Sequence, residues 1–211
     1  MLLGSHNSLS YLPPKKWYMK PFHFMAKCQS VDYVKQYEEY GIRLFDIRLW
    51  FNEKGEIEVR HGLFVFDIDI KGISDFLSFL NKKGDCYLRI ILEEDEVSKK
   101  YPYAKISEMK FLMFCERLEE AYKHIKFFGG NRKYDWIVVH HFKTTPPQLV
   151  DMYSSTTRFI GKRDDSTWFQ KLLNIVDDWC PWFYAKKWNK KNFKEFNEED
   201  KFLFFDFVQI R

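Results

Sequence analysis

Ile42-Arg43-Leu44-Phe45-Asp46-Ile47-Arg48-Leu49-Trp50 reads as a strand with two charges set into it. Side chains alternate across a strand, so Ile42, Leu44, Asp46 and Arg48 share one side. Charges on a core-facing side are costly unless they are paired or used. Taken alone, Asp46 and Arg48 fit a buried structural ion pair as well as a functional one.

The surrounding segments supply strands and helices in turn. Upstream, Met1 to Ser5 is a short apolar strand running into His6-Asn7-Ser8, followed by a polar and aromatic loop broken by Pro13-Pro14. Ser30 is the expected cap of a helix carrying Val31, Val34, Tyr37 and Tyr40, closed by Gly41. Downstream, a turn at Asn52–Gly55 leads to an alternating strand, Ile57–His61. Ile73, Phe76, Leu77 and Leu80 recur at helical spacing and stop at Gly84. Tyr87–Leu92 is an apolar strand ending at Glu93. A helix from Ser107 carries Phe111, Leu112, Cys115, Leu118, Tyr122 and Ile125, and Gly129-Gly130 is expected to break it. Trp136–Val139 is a strand, Trp168–Val176 a helix, and Phe202–Ile210 a last strand with Asp206 at its middle. This alternation predicts an α/β fold with a largely parallel sheet. Eight strand–helix units are a tight fit for 211 residues. The expectation is therefore an irregular, compact TIM-type (β/α) barrel, one domain over 1–211, with its site at the C-terminal strand ends.

Composition bounds the function. The chain is 45% hydrophobic and 19% aromatic, with 22 Phe, 12 Tyr and 7 Trp. Most of that belongs to a core, and the surplus Trp and Tyr can face a lipid or sugar. A net charge of +4 suits a phosphate or an anionic surface. The densest basic stretch, Lys186-Lys187-Trp188-Asn189-Lys190-Lys191, reads as a solvated loop or helix end, and no nucleic acid partner is expected. Cys28, Cys86, Cys115 and Cys180 have no metal-like spacing. No apolar run reaches membrane-span length and no signal peptide is visible, so a cytoplasmic or a trimmed secreted protein is expected. Oligomeric state is not legible.

Three motifs then occur in order: Gly4-Ser5-His6-Asn7-Ser8, Gly41-Ile42-Arg43-Leu44-Phe45-Asp46-Ile47-Arg48, and Arg60-His61-Gly62. Together they resemble the catalytic half of the phosphatidylinositol-specific phospholipases C, most nearly the bacterial, metal-independent members. The strong part covers roughly residues 1 to 95. Phe204-Phe205-Asp206-Phe207-Val208 resembles that family's last strand, and residues 96 to 200 match weakly. The resemblance implies a phosphoric diester hydrolase or lyase acting on a phosphodiester such as phosphatidylinositol, at a membrane surface where the substrate is a phospholipid. It implies His6 as general base, Asp206 as its hydrogen-bond partner, Arg48 as the group meeting the phosphate, and His61 as general acid, with Asp46 beside them. Such a pair of imidazoles suits attack by the substrate's own hydroxyl, through a cyclic phosphate.

Two positions depart from the bacterial pattern. Asn7 stands where those members carry Asp, and Glu93 where they tend to carry Lys. Asn7, Asp46 and Glu93 match three calcium-ligand positions of the eukaryotic members, while Arg48 occupies the fourth, where an acid is required. No cofactor is therefore expected, with calcium on Asn7, Asp46 and Glu93 as the alternative. Asn7, Glu93, Arg158 and Arg163 are candidates for binding substrate. His140 and His141 read as structural strand-end residues. The glycerophosphodiesterases, whose opening His-Arg-Gly element is missing here, are a rival. A degenerate barrel that binds a phosphorylated lipid or glycan without cleaving it is another.

Overall fold

The computed structural model describes residues 2–52, 54–92, 104–133, 137–151, 167–169, 180–195 and 201–210. Among the described residues, nine strands form one sheet: β1 (Leu2–Ser5), β2 (Ile42–Phe51), β3 (Ile57–His61), β4 (Phe64–Val65), β5 (Tyr87–Leu92), β6 (Lys126–Lys133), β7 (Ile137–His140), β8 (Leu149–Asp151) and β9 (Phe202–Phe205). They run in the order β7-β6-β5-β2-β1-β9-β8, with β3 and β4 as a side branch on β2. The pairs β1–β2, β1–β9, β2–β5, β5–β6 and β8–β9 are parallel. The β2–β3 and β6–β7 pairs are antiparallel. The result is the expected mixed α/β architecture of TIM type. Its sheet is an arc: among the described residues β7 and β8 are not paired with each other.

Among the described residues, the α-helices assigned in full are α1 (Tyr33–Glu38), α2 (Ile70–Lys83), α3 (Ala104–Ala121) and α4 (Pro181–Glu195). Helix α2 follows the sequence closely. Asp69 caps it by accepting from Gly72 N, Ile73, Phe76, Leu77 and Leu80 are buried, and Gly84 ends it in the left-handed region. Helix α1 is shorter than expected because the cap is Asp32, whose carboxylate accepts from Lys35 N. Val34 is left exposed. In α3 the buried stripe is Phe111, Cys115 and Leu118, and Leu112 faces outward. Gly129 and Gly130 do not break that helix; they lie inside β6. A Cβ on Gly129 would stand 2.1 Å from Ile90 O, so the close approach of β5 and β6 requires glycine there. The expected Pro13–Ser30 loop contains a 3-10 helix, Trp17–Met25. The last strand ends at Phe205, which moves Asp206 from its middle to just beyond its C-terminal end. The expected helix at 168–176 lies largely outside the described residues.

Two apolar clusters hold the sheet. The larger packs Phe45, Ile47 and Leu49, from the outward face of β2, with Phe76, Leu80 and Phe111 of the helices. The smaller fills the inside: Leu44, Phe128, Phe202 and Phe204, with Tyr87 and Leu149 against them. Gly4 makes room for that floor, since a Cβ there would sit 2.6 Å from Phe204 Cδ2.

Candidate active site

One step above the aromatic floor the interior turns polar. Register pairs Gly4 with Leu44 and with Phe204, so the next inward positions on β1, β2 and β9 are His6, Asp46 and Asp206. On β5 the residue opposite Asp46 is Arg89. Arg48 lies one inward position higher on β2. His6, Asp46, Arg48 and Asp206 are all buried.

The turn after β1 is built by its serines and Asn7. Asn7 has φ +47, a left-handed conformation that Asn tolerates better than most residues. Its backbone N–H donates to Asp46 Oδ2 at 3.0 Å. Ser8 N donates to Asp46 O, and Asp46 N donates to Ser8 Oγ, both at 2.8 Å. The loop is thereby stitched to the strand carrying Asp46. Gln29 ties the other side: its amide donates to His6 O and Phe205 O, each at 2.9 Å, and accepts from Val208 N. Asn189 of α4 donates to Asp206 O at 2.7 Å. His6 and Asp206 are thus fixed by backbone on both sides.

Their side chains meet: His6 Nδ1 is 2.7 Å from Asp206 Oδ1. On the opposite edge of the ring, His6 Nε2 is 2.5 Å from Arg48 Nη2. A guanidinium can only donate, so Nε2 must accept. The proton of the neutral imidazole is then on Nδ1 and points at Asp206. Burial pushes the Asp206 carboxyl well above the ordinary carboxylate range, while a hydrogen bond from the Cys28 thiol and the Arg48 charge pull it back. Burial, and then Asp206 itself, keep that thiol protonated.

His61 closes β3 and comes back over the same place. Its ring lies 5.7 Å from that of His6, edge to face at 88°. Its Nδ1 donates to Ala26 O at 3.1 Å, which turns Nε2 away from the loop. Asp46 is flanked by two guanidinium groups, Arg48 Nε at 3.5 Å and Arg89 Nε at 3.8 Å. The structure therefore brings His6, Asn7, Asp46, Arg48, His61 and Asp206 together. Glu93, Arg158 and Arg163 lie outside the described residues. His141 packs its ring against Phe111, as suits a structural residue.

Neither of two candidate cation sites suits these residues. His6, Cys28 and Asp206 place three donor atoms within 4.8 Å of one another, but His6 and Asp206 are already hydrogen-bonded to each other. Calcium on Asn7 and Asp46 would sit beside two guanidinium charges, which is a poor fit for a hard divalent cation.

Sequence reading missed Arg89, Cys28, Gln29 and Asn189. Arg89 carried a signal, as a charge at an inward position of an apolar strand. Gln29 and Asn189 carried none, because their partners are main-chain atoms distant in sequence.

The fold is shared with solved enzymes. The phosphatidylinositol-specific phospholipase C from Listeria monocytogenes superposes with a TM-score of 0.55 at 16% identity, over 99% of this chain and 89% of that one. A single-residue variant of the Staphylococcus aureus enzyme gives 0.55 at 14% identity, over 98% and 84%. A double variant of the same enzyme gives 0.56 at 14% identity over the same shares. No protein-family model matches the chain, and no curated protein sequence matches it.

Proposed function

We propose that this chain is a phosphodiesterase that cleaves a phosphodiester such as phosphatidylinositol by metal-independent acid–base chemistry. The observation that carries the reading is the protonation pattern of His6. With its proton on Nδ1 toward Asp206, its Nε2 lone pair is the basic site, engaged by the Arg48 guanidinium, and a second imidazole stands 5.7 Å away.

The chemistry runs between those two rings. A hydroxyl of the substrate, adjacent to its phosphate ester, gives its proton to His6 Nε2 as its oxygen bonds to phosphorus. Asp206 stabilises the imidazolium that results. Arg48 exchanges its contact with His6 Nε2 for the non-bridging phosphate oxygens, where charge accumulates. The phosphorus–oxygen bond to the leaving alcohol breaks, and His61 protonates that alkoxide. The products are the free alcohol and a cyclic phosphate. The Arg48 and Arg89 charges occupy the place where a metal would otherwise balance Asp46.

A membrane surface is a fitting location for the substrate. Trp17 is 79% exposed, and Tyr18, Phe22 and Phe24 of the same 3-10 helix are exposed with it. Lys15 N bonds to Val65 O, which joins this segment to the hairpin of His61 and the exposed Leu63. Lys15, Lys16 and Lys20 are also exposed. Apolar rings among lysines suit an interface with anionic lipid. One solved S. aureus relative was determined in work on modulation of its membrane binding.

Phosphorus NMR of the protein with phosphatidylinositol vesicles, with and without chelator, tests the reading. A cyclic inositol phosphate signal that persists in chelator is expected. A signal abolished by chelator overturns the metal-independent mechanism. No product from phosphatidylinositol or other phosphodiesters, at high protein concentration, leaves a non-cleaving binder as the better account.

A further inference from the structure

A buried cysteine usually serves as a small apolar side chain. Cys86 and Cys115 do so in the larger apolar cluster. Cys28 is buried as completely, yet among the described residues it belongs to neither cluster. Its neighbours are the groups that hold the two imidazoles.

The backbone fixes where the thiol sits. Cys28 N and Gln29 N both donate to Ser10 Oγ at 2.9 Å. Cys28 O accepts from Phe207 N at 2.6 Å. Phe207 follows Asp206 and has φ +48, a left-handed conformation that a bulky residue adopts only when its surroundings impose it. The bond to Cys28 O is one such restraint, so residues 26–29 help to hold the chain at Asp206. The same residues hold the other imidazole, since Ala26 O accepts from His61 Nδ1.

The thiol lies between the two. Its Sγ is 3.8 Å from His61 Nδ1, on the ring edge that faces Ala26 O. It is also within 4.8 Å of the ligand atoms of His6 and Asp206. Its single proton has two acceptors in reach, Ala26 O at 3.6 Å and the Asp206 carboxylate. Ala26 O already accepts from His61, and an ionised oxygen is the stronger acceptor. The S–H therefore belongs to Asp206, and the sulfur is left to face the His61 N–H.

We propose that Cys28 is a positioning residue that joins the two imidazoles: its S–H donates to Asp206, the partner of His6, and its sulfur with Ala26 O holds His61 Nδ1–H. The effect on turnover rests on the reading of His6 as base and His61 as acid. The contacts themselves do not.

The test is proton NMR of the full chain at the low-field imidazole N–H resonances, assigned by their loss in His6→Ala and His61→Ala, together with turnover of phosphatidylinositol. Cys28→Ala is expected to move both the His6 and the His61 Nδ1–H resonances. It should lower kcat by about tenfold with KM within about twofold. Cys28→Val, which fills the volume without hydrogen bonding, should behave alike and serves where the alanine variant does not fold. Cys28→Ser restores a group that donates and accepts, and should keep kcat within about threefold of wild type. The proposal is overturned if neither resonance moves in the alanine and valine variants, or if only one does. A lower melting temperature with unmoved resonances would show a merely structural role. A serine variant as slow as the alanine variant would also overturn it. Unmoved resonances in an active enzyme would spare the phosphodiesterase reading. Both resonances moving in a protein that turns over no phosphodiester would sink that reading and leave the link between the imidazoles standing.

Discussion

The floor and the layer above it are one inward position apart on the same strands and have opposite chemistry. Gly4, Leu44 and Phe204 close the interior with apolar contact. His6, Asp46, Arg89 and Asp206 follow directly above. The floor is what a core requires. The layer above is what a core avoids, and it persists because each charge faces an opposite charge or a proton donor. The contrast separates the two jobs of the interior: substitutions in the floor should act on stability, and substitutions in the polar layer on turnover.

The largest effect should come from His6→Ala, which removes the base. Turnover should fall by about a thousandfold or more with an unchanged far-ultraviolet spectrum. Residual turnover above a tenth of wild type would remove His6 from the mechanism. Arg48→Lys keeps the charge and loses the fork, so kcat should drop by about a hundredfold. A change confined to KM would show that Arg48 binds the ground state only.

Asp206→Asn separates the two jobs within one residue. Burial raises the Asp206 carboxyl in the folded protein, so its ionisation opposes folding. The stability it contributes is full below its unfolded value and is lost as pH rises through the raised one. A neutral amide avoids that loss. The variant should be at least as heat-stable as wild type at neutral pH, while turnover falls by about a hundredfold through loss of the His6 tautomer. A lower melting temperature with normal kcat would reverse the assignment. Phe202→Leu addresses the floor. It should cost about 1–2 kcal/mol in chemical denaturation with kcat within about threefold. The smallest effect belongs to the exposed rim: Trp17→Ala should leave stability and turnover of a soluble substrate unchanged, and reduce turnover on vesicles several-fold. Equal loss on both substrates would count against a membrane-facing role.

The polar layer was half legible in the sequence. Asp46 and Arg48 announced themselves by sitting two apart in an apolar strand, and His6 and His61 through the motifs around them. Asp206 was found but read as mid-strand, because the apolar run Phe202–Phe205 before it and Phe207-Val208 after it gave no boundary signal. Gly129-Gly130 misled for a related reason. Glycine pairs usually break elements, yet here a neighbouring carbonyl demands the missing Cβ. Arg89 was visible as an anomaly and lacked a motif to give it meaning. Gln29 and Asn189 could not be read at all, because polar side chains that clamp distant backbone follow no sequence period.

The division of labour between the two imidazoles is the centre of the account, and one comparison tests it most directly. Turnover of His6→Ala and His61→Ala is measured on phosphatidylinositol and on an inositol phosphodiester whose leaving group, a nitrophenolate, needs no proton. The account predicts that His61→Ala is crippled on the lipid and largely restored on the activated ester, while His6→Ala is crippled on both. Equal losses on both substrates for the two variants would contradict it.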